Sequence, residues 1–130
     1  VLALNTLRGI RVVAAPHVLD AATWPAHVTA LRIAPDDIFA IEATESDADG
    51  VAVADPHSII VDEHGFVGCW LDHQQLEHIT RHIEWHAPSH RPALVQGYVA
   101  GVPAKIWLTN ERSLLLCASP YAADLMERVS

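Results

Sequence analysis

Three histidines stand four residues apart, His78, His82 and His86, with His90 close behind. On an α-helix, side chains at i and i+4 project from one face, so such a pair can hold a divalent cation. The same residues also suit a partly exposed helix flank that meets a partner and holds no metal. No cysteine lies near them, and Glu77 and Glu84 fall elsewhere on the helical wheel, so a third ligand is unspecified. His78, His82 and His86 are therefore weak metal candidates. With Trp85 they are the candidates for an interface. Trp85 falls opposite the apolar stripe of this helix, which leaves two readings: an exposed contact residue, or a ring folded over a neighbouring loop.

Other catalytic chemistry finds little footing. Cys69 and Cys117 each lie in an apolar run, VGCWL and LLLCAS. Buried thiols there have a raised pKa and are inert. The adjacent acids Asp36 and Asp37 follow Pro35 in a turn, where neighbouring carboxylates diverge into solvent. Asp47-Ala48-Asp49-Gly50 is faintly similar to a calcium loop but lacks the third alternate ligand and the closing Glu. There is no G-x-S-x-G, no Gly-rich phosphate loop and no C-x-x-C. No residue is singled out as catalytic, and no cofactor is expected.

The elements that must position these residues are legible in outline. Residues 7–15, 28–34 and 38–43 read as strands, the last two joined by Pro35-Asp36-Asp37. Residues 16–27, punctuated by Pro16 and Pro25, read as a loop or a short helical turn. Residues 42–55 hold five acids and no base, and read as a solvated connection. Residues 58–61 and 66–71 read as a hairpin turning at Gly65. A helix follows, opened by the Asp72/Gln75 capping box, buried through Leu76, Ile79 and Ile83, and ended by Pro88 and Pro92. Residues 93–100, 102–108 and 114–118 read as strands, with a tight turn at Gly101. A last helix starts at Ser119-Pro120 and buries Ala122, Leu125, Met126 and Val129. The fold class is α+β, mostly antiparallel hairpins with two main helices.

Composition bounds the rest. The 130 residues are 51% hydrophobic and 18% charged, enough for a core and the length of a single domain, 1–130. Sixteen acids against eight bases give a net charge of −8, and Lys105 is the one lysine. Nucleic acid and anionic membrane surfaces need clustered cations, so neither is a partner. No apolar run approaches the roughly 20 residues of a membrane helix. Two cysteines are too few for a disulfide scaffold, and no signal peptide is visible, so a reduced, cytoplasmic protein is expected. The chain opens on Val1 rather than Met, so the native N-terminus is expected to lie upstream. Protonating all nine histidines would cancel the formal charge, and an interface built on them should respond to pH near about 6.

Three segments carry a family resemblance. Leu31-Arg32-Ile33-Ala34-Pro35-Asp36-Asp37-Ile38-Phe39-Ala40-Ile41 resembles the LxLGPDEFL hairpin of the glycine-cleavage T-protein (aminomethyltransferase) superfamily, in the form nearest the sarcosine oxidase gamma subunits. Val99 to Trp107 is similar to that family's G-(I/V)-P-V-x-L-W turn, and Pro120 to Leu125 to its SFADFL helix start. The likeness runs over residues 7–129. It departs at Gly68 to Leu76, where gamma subunits carry SGPxARxVL, and the connection 42–56 is shorter. The resemblance implies a ferredoxin-like, pseudo-duplicated α+β arrangement. It also implies a non-catalytic accessory subunit; such a subunit is expected to dock on a flavin-dependent amine oxidase or an aminomethyl-transfer partner, with the sheet edges and the Trp85/His82 flank as the candidate contacts. No residue here matches the folate-binding acid of T-proteins, so folate is not carried over from them. The alternatives are a free-standing folate-like small-molecule binder and a homo-oligomeric interaction module.

Overall fold

The strand expected at residues 7–15 forms as β1 (Asn5–Val13), in a computed structural model that describes residues 2–130. The chain divides into two compact units, Leu7–His64 and, with the residues up to Thr6, Gly65–Ser130.

In the Leu7–His64 unit, β1 leads into α1 (Pro16–Ala21), β2 (Thr29–Ala34), β3 (Asp37–Ile41), α2 (Asp49–Ala54) and the start of β4 (Ile59–Leu71). The strand order is β2-β3-β1-β4, and the β2–β3 and β1–β3 ladders are antiparallel. Alternation sorts the side chains. Ile10, Val12, Ile38 and Ala40 face a core completed by Val18 and Leu19 of α1 and Val51 of α2. Phe39 and Leu31, of opposite parity, are fully buried too, which is why β3 reads as an unbroken apolar run.

Two expectations fail in this unit. The acidic stretch 42–55 is not simply a solvated connection: it forms a 3-10 turn, Glu45–Ala48, and then α2. Thr44 and Asp47 make a reciprocal capping box, with the Thr44 N–H donating to Asp47 Oδ2 at 2.8 Å. Glu45, Asp47 and Asp49 then lie at helix N-termini, where the backbone dipole favours anions. Ala48 and Val51, three residues apart, supply the buried face. Residues 58–71 are also not a hairpin. They form one 13-residue strand, β4, and Gly65 does not adopt a positive φ. The polar run Asp62-Glu63-His64 stays in the sheet because Arg11 of β1 neutralises Glu63. Its Nη1 donates to Glu63 Oε1 at 2.7 Å, while Nε and Nη2 grip Asp37 at 2.6 and 2.8 Å. Asp37 is thus half of a bidentate pair rather than a turn residue shed into solvent. These carboxylates hold the Arg11 guanidinium above its usual pKa, the Asp37 bonds contributing most, against a partial loss of hydration.

α1 has no cap of its own. Asp55 supplies one from beyond α2: its Oδ2 accepts the N–H of Ala15 and its Oδ1 that of His57, both at 2.9 Å. These two backbone donors, helped by the nearby His57 and His17, hold the Asp55 carboxyl below the ordinary range. A depressed carboxylate stabilises the fold at neutral pH and loses that contribution as pH falls through its folded pKa. Asp55→Asn is therefore expected to flatten the acid limb of a stability-against-pH curve measured by urea denaturation. An unchanged limb would show that Asp55 has no part in it.

The Gly65–Ser130 unit holds the end of β4, α3 (His73–Thr80), β5 (Ala93–Val99), β6 (Val102–Leu108), β7 (Ser113–Ala118) and α4 (Ala122–Val129). Its strand order is β4-β7-β6-β5, with every ladder antiparallel. Val102, Ala104, Ile106 and Leu108 of β6 turn inward with Leu115 and Cys117 of β7, against Ile79 of α3 and Leu125 and Val129 of α4. Ser119 and Pro120 form a 3-10 turn before α4 rather than its first helical residues, and Ser119 makes no side-chain cap. Arg112 stacks 4.0 Å over the Trp70 ring. Both cysteines are free, and loss of hydration raises both thiol pKa values. The α+β class and the antiparallel hairpins agree with the sequence reading. α3 and α4 are the two helices anticipated, and the six-residue α1 and α2 are added to them. Among the described residues no helix is long and apolar enough to cross a membrane.

Candidate functional site

α3 begins where the sequence places it. Asp72 Oδ1 accepts the Gln75 N–H at 2.8 Å and Gln75 Oε1 accepts the Asp72 N–H at 2.9 Å. It ends far short of Pro88, at Thr80. The Thr80 hydroxyl donates to the Glu77 carbonyl at 2.8 Å, and His82 and Ile83 donate only to carbonyls three residues back. Such bonds tighten and terminate a last turn. His78 is thus on the helix, and His82, Trp85 and His86 are beyond it.

The reason is Trp85. On a continued helix it would point away from Leu76 and Ile79. Instead the chain leaves the helix and lays Ile83 and Trp85 against the core of this unit. A tryptophan offers more apolar area than the extra turn offers in hydrogen bonds. The indole settles over Gly97, where a Cβ would stand 2.8 Å from its Nε1, and that Nε1 donates to the Tyr98 carbonyl at 3.1 Å. Trp85 is therefore the ring folded onto a neighbour. It covers an outward carbonyl of β5, the last strand in its order. Replacing Gly97 by valine is expected to dislodge it. The test is a red shift in tryptophan emission that is absent when the change is made in a Trp85→Phe background. No shift on Gly97→Val, or an equal shift in both backgrounds, would mean that Gly97 is not its seat.

The histidines are partly brought together. The His78 and His82 rings meet edge to face, with centroids 5.2 Å apart, and His78 Nε2 donates to the Val129 carbonyl at the end of α4. His86 is exposed and joins neither in a ring contact. Among the described residues no group of three His, Cys, Asp or Glu is arranged to hold a metal ion.

Several residues of this face escaped the sequence reading. Tyr98 is 64% exposed, and with His82, Glu84, Trp85 and the Ala100-Gly101 turn it lines a cavity of about 410 Å³. That turn joins β5 to β6 with φ of 51° and 79°, the two-residue hairpin geometry that twists with its strands. Ala100 is held in this costly conformation from two sides. Its N–H donates to the His82 carbonyl at 2.7 Å, and its carbonyl accepts Arg128 Nη1 at 3.0 Å. Glycine inside a strand signals a close approach, and Gly97 was such a signal.

No protein-family model matches the chain, and neither does any curated protein. Among solved structures, a chain of the heterotetrameric sarcosine oxidase from Corynebacterium sp. U-96, in complex with pyrrole 2-carboxylate, aligns with a TM-score of 0.71 at 12% identity. The alignment covers 97% of this chain and 79% of that one. The fold is therefore like that of a sarcosine oxidase subunit.

Proposed function

We propose that this chain is a non-catalytic accessory subunit of the sarcosine oxidase gamma type, a member of the T-protein superfamily acting as a single domain, and that it docks on a larger flavin-dependent amine oxidase or aminomethyl-transfer protein. The observation that carries the reading is the fold likeness over 97% of the chain to a protein that is itself a heterotetramer. The gamma-type motifs at residues 31–41, 99–107 and 120–125 support it from the sequence. The docking face in this reading is the one around His82, Trp85 and Tyr98. Its indole is already fixed by Gly97 and the Tyr98 carbonyl, so little side-chain freedom would be lost on binding. Affinity purification at native expression, under mild lysis, is the test. A stoichiometric partner with a flavin absorbance spectrum is expected. A monodisperse chain without partner would overturn the reading.

A further inference from the structure

β4 outruns its neighbour. It spans Ile59–Leu71, yet β7 pairs only with Phe66–Leu71, and that ladder stops at Phe66 and Ala118. The strand runs on beyond it through Ile59, Ile60, Val61 and Asp62. Ile60 turns toward the core of the Leu7–His64 unit. Ile59 and Val61, of opposite parity, are 57% and 49% exposed, and Asp62 is exposed beside them. A strand edge offers its N–H and C=O groups to any chain that can lie alongside. Proteins protect such edges with charged side chains, lysine above all, or proline; residues 59–62 carry no lysine or proline, and their one charge is the anion of Asp62.

Charge selects the occupant. Between Arg32 and Arg81 there is no lysine or arginine, while the same stretch holds eleven acids. Arg11, which reaches this region from β1, is engaged by Asp37 and Glu63. A second copy of the chain would bring Asp62 and the same acidic stretch against itself. We propose that residues 59–62 of β4 form a pairing edge for an extended segment of the larger partner, apolar at alternate positions and bearing lysine or arginine between them. The existence of that partner rests on the accessory-subunit reading. The edge and its charge preference do not.

The test titrates the full chain with the labelled peptide KVKIKVK, read by fluorescence anisotropy. Saturable binding is expected, and none with EVEIEVE. N-methylating alternate amides of the basic peptide, in two complementary sets, keeps its charge and removes its donors. One set is expected to bind about tenfold more weakly, the loss of one or two net hydrogen bonds. Asp62→Lys, at an exposed position, is expected to weaken binding of the unmethylated peptide. The proposal is overturned by an absence of binding, by equal affinity for both methylated sets and the parent, or by indifference to Asp62→Lys. Light scattering that shows a dimer the peptide cannot dissociate would assign the edge to a second copy and overturn it as well. Binding that obeys the pattern while no flavoprotein co-purifies would sink the accessory reading alone. A recovered flavoprotein with no peptide discrimination would sink only the edge.

Discussion

Alanine at Gly9 is expected to destabilise the protein by about 3 kcal/mol or more, a large share of the roughly 5–15 kcal/mol that holds a domain folded. Gly9 of β1 lies opposite Ile41 of β3. A Cβ there would stand 2.2 Å from the Ala40 carbonyl oxygen and 2.9 Å from the Ala40 carbonyl carbon and the Ile41 Cα. All three are backbone atoms, so no rotamer change relieves the overlap. β1 must separate from β3, and with it Ile10 and Val12 leave the core they share with Ile38 and Ala40. Gly50 on α2 is the internal control, since nothing lies within 4 Å of its Cβ position. Gly50→Ala should raise stability by about 0.5–1 kcal/mol, through the unfolded chain. Urea midpoints for the two variants should move in opposite directions. A Gly9→Ala protein with the wild-type midpoint would refute the close approach of the strands.

Arg11→Ala is expected to cost about 2–3 kcal/mol. Arg11, Asp37 and Glu63 retain only 26%, 18% and 23% of their side-chain exposure. Removing the cation leaves two carboxylates near one another and poorly hydrated. The estimate sits at or below the low end for breaking buried pairs, because water still reaches all three groups. Glu63→Gln should cost under about 1 kcal/mol, since the bidentate Arg11–Asp37 pair survives and its geometry carries most of the contact. Arg11→Lys should not restore the wild-type midpoint, because an ammonium cannot match both oxygens of Asp37 and reach Glu63. Equal midpoints for Arg11→Lys and wild type would show that charge alone is at work.

The same triad shows where sequence reading stops. A run such as Asp62-Glu63-His64-Gly65 is ordinary turn chemistry when its neighbours are unknown. In the fold it is strand, and Arg11, 52 residues earlier, is placed to neutralise Glu63 there. β5, β6 and β7 could be read almost to the residue, since each alternates or runs apolar between strong turn residues, and Gly101 sits where a hairpin needs positive φ. The start of α3 was visible in Asp72 and Gln75, a local interaction. Its end was not, because what stops it is the seat that Gly97 offers Trp85, a tertiary contact. Two residues of the expected flank, His82 and Trp85, line the cavity beside β5, yet as parts of an irregular segment rather than of a helix. Thr44 and Asp47 carry a local signal too: the spacing of a capping box lies inside a run that otherwise reads as a solvated acidic connection with a partial calcium-loop pattern.

Lys105 lies in the middle of β6, flanked by Gln96 of β5 and Leu116 of β7, with its Nζ donating to Gln96 Oε1 at 2.8 Å. Because it is the one lysine, a lysine-specific protease has one peptide bond to cut, and that bond lies inside two ladders. Cleavage requires β6 to come away from both neighbours, so its rate reports the opening of this sheet and is blind to fraying elsewhere. A partner that braces the fold should slow that single cut, which makes it a direct gauge of assembly that needs no label.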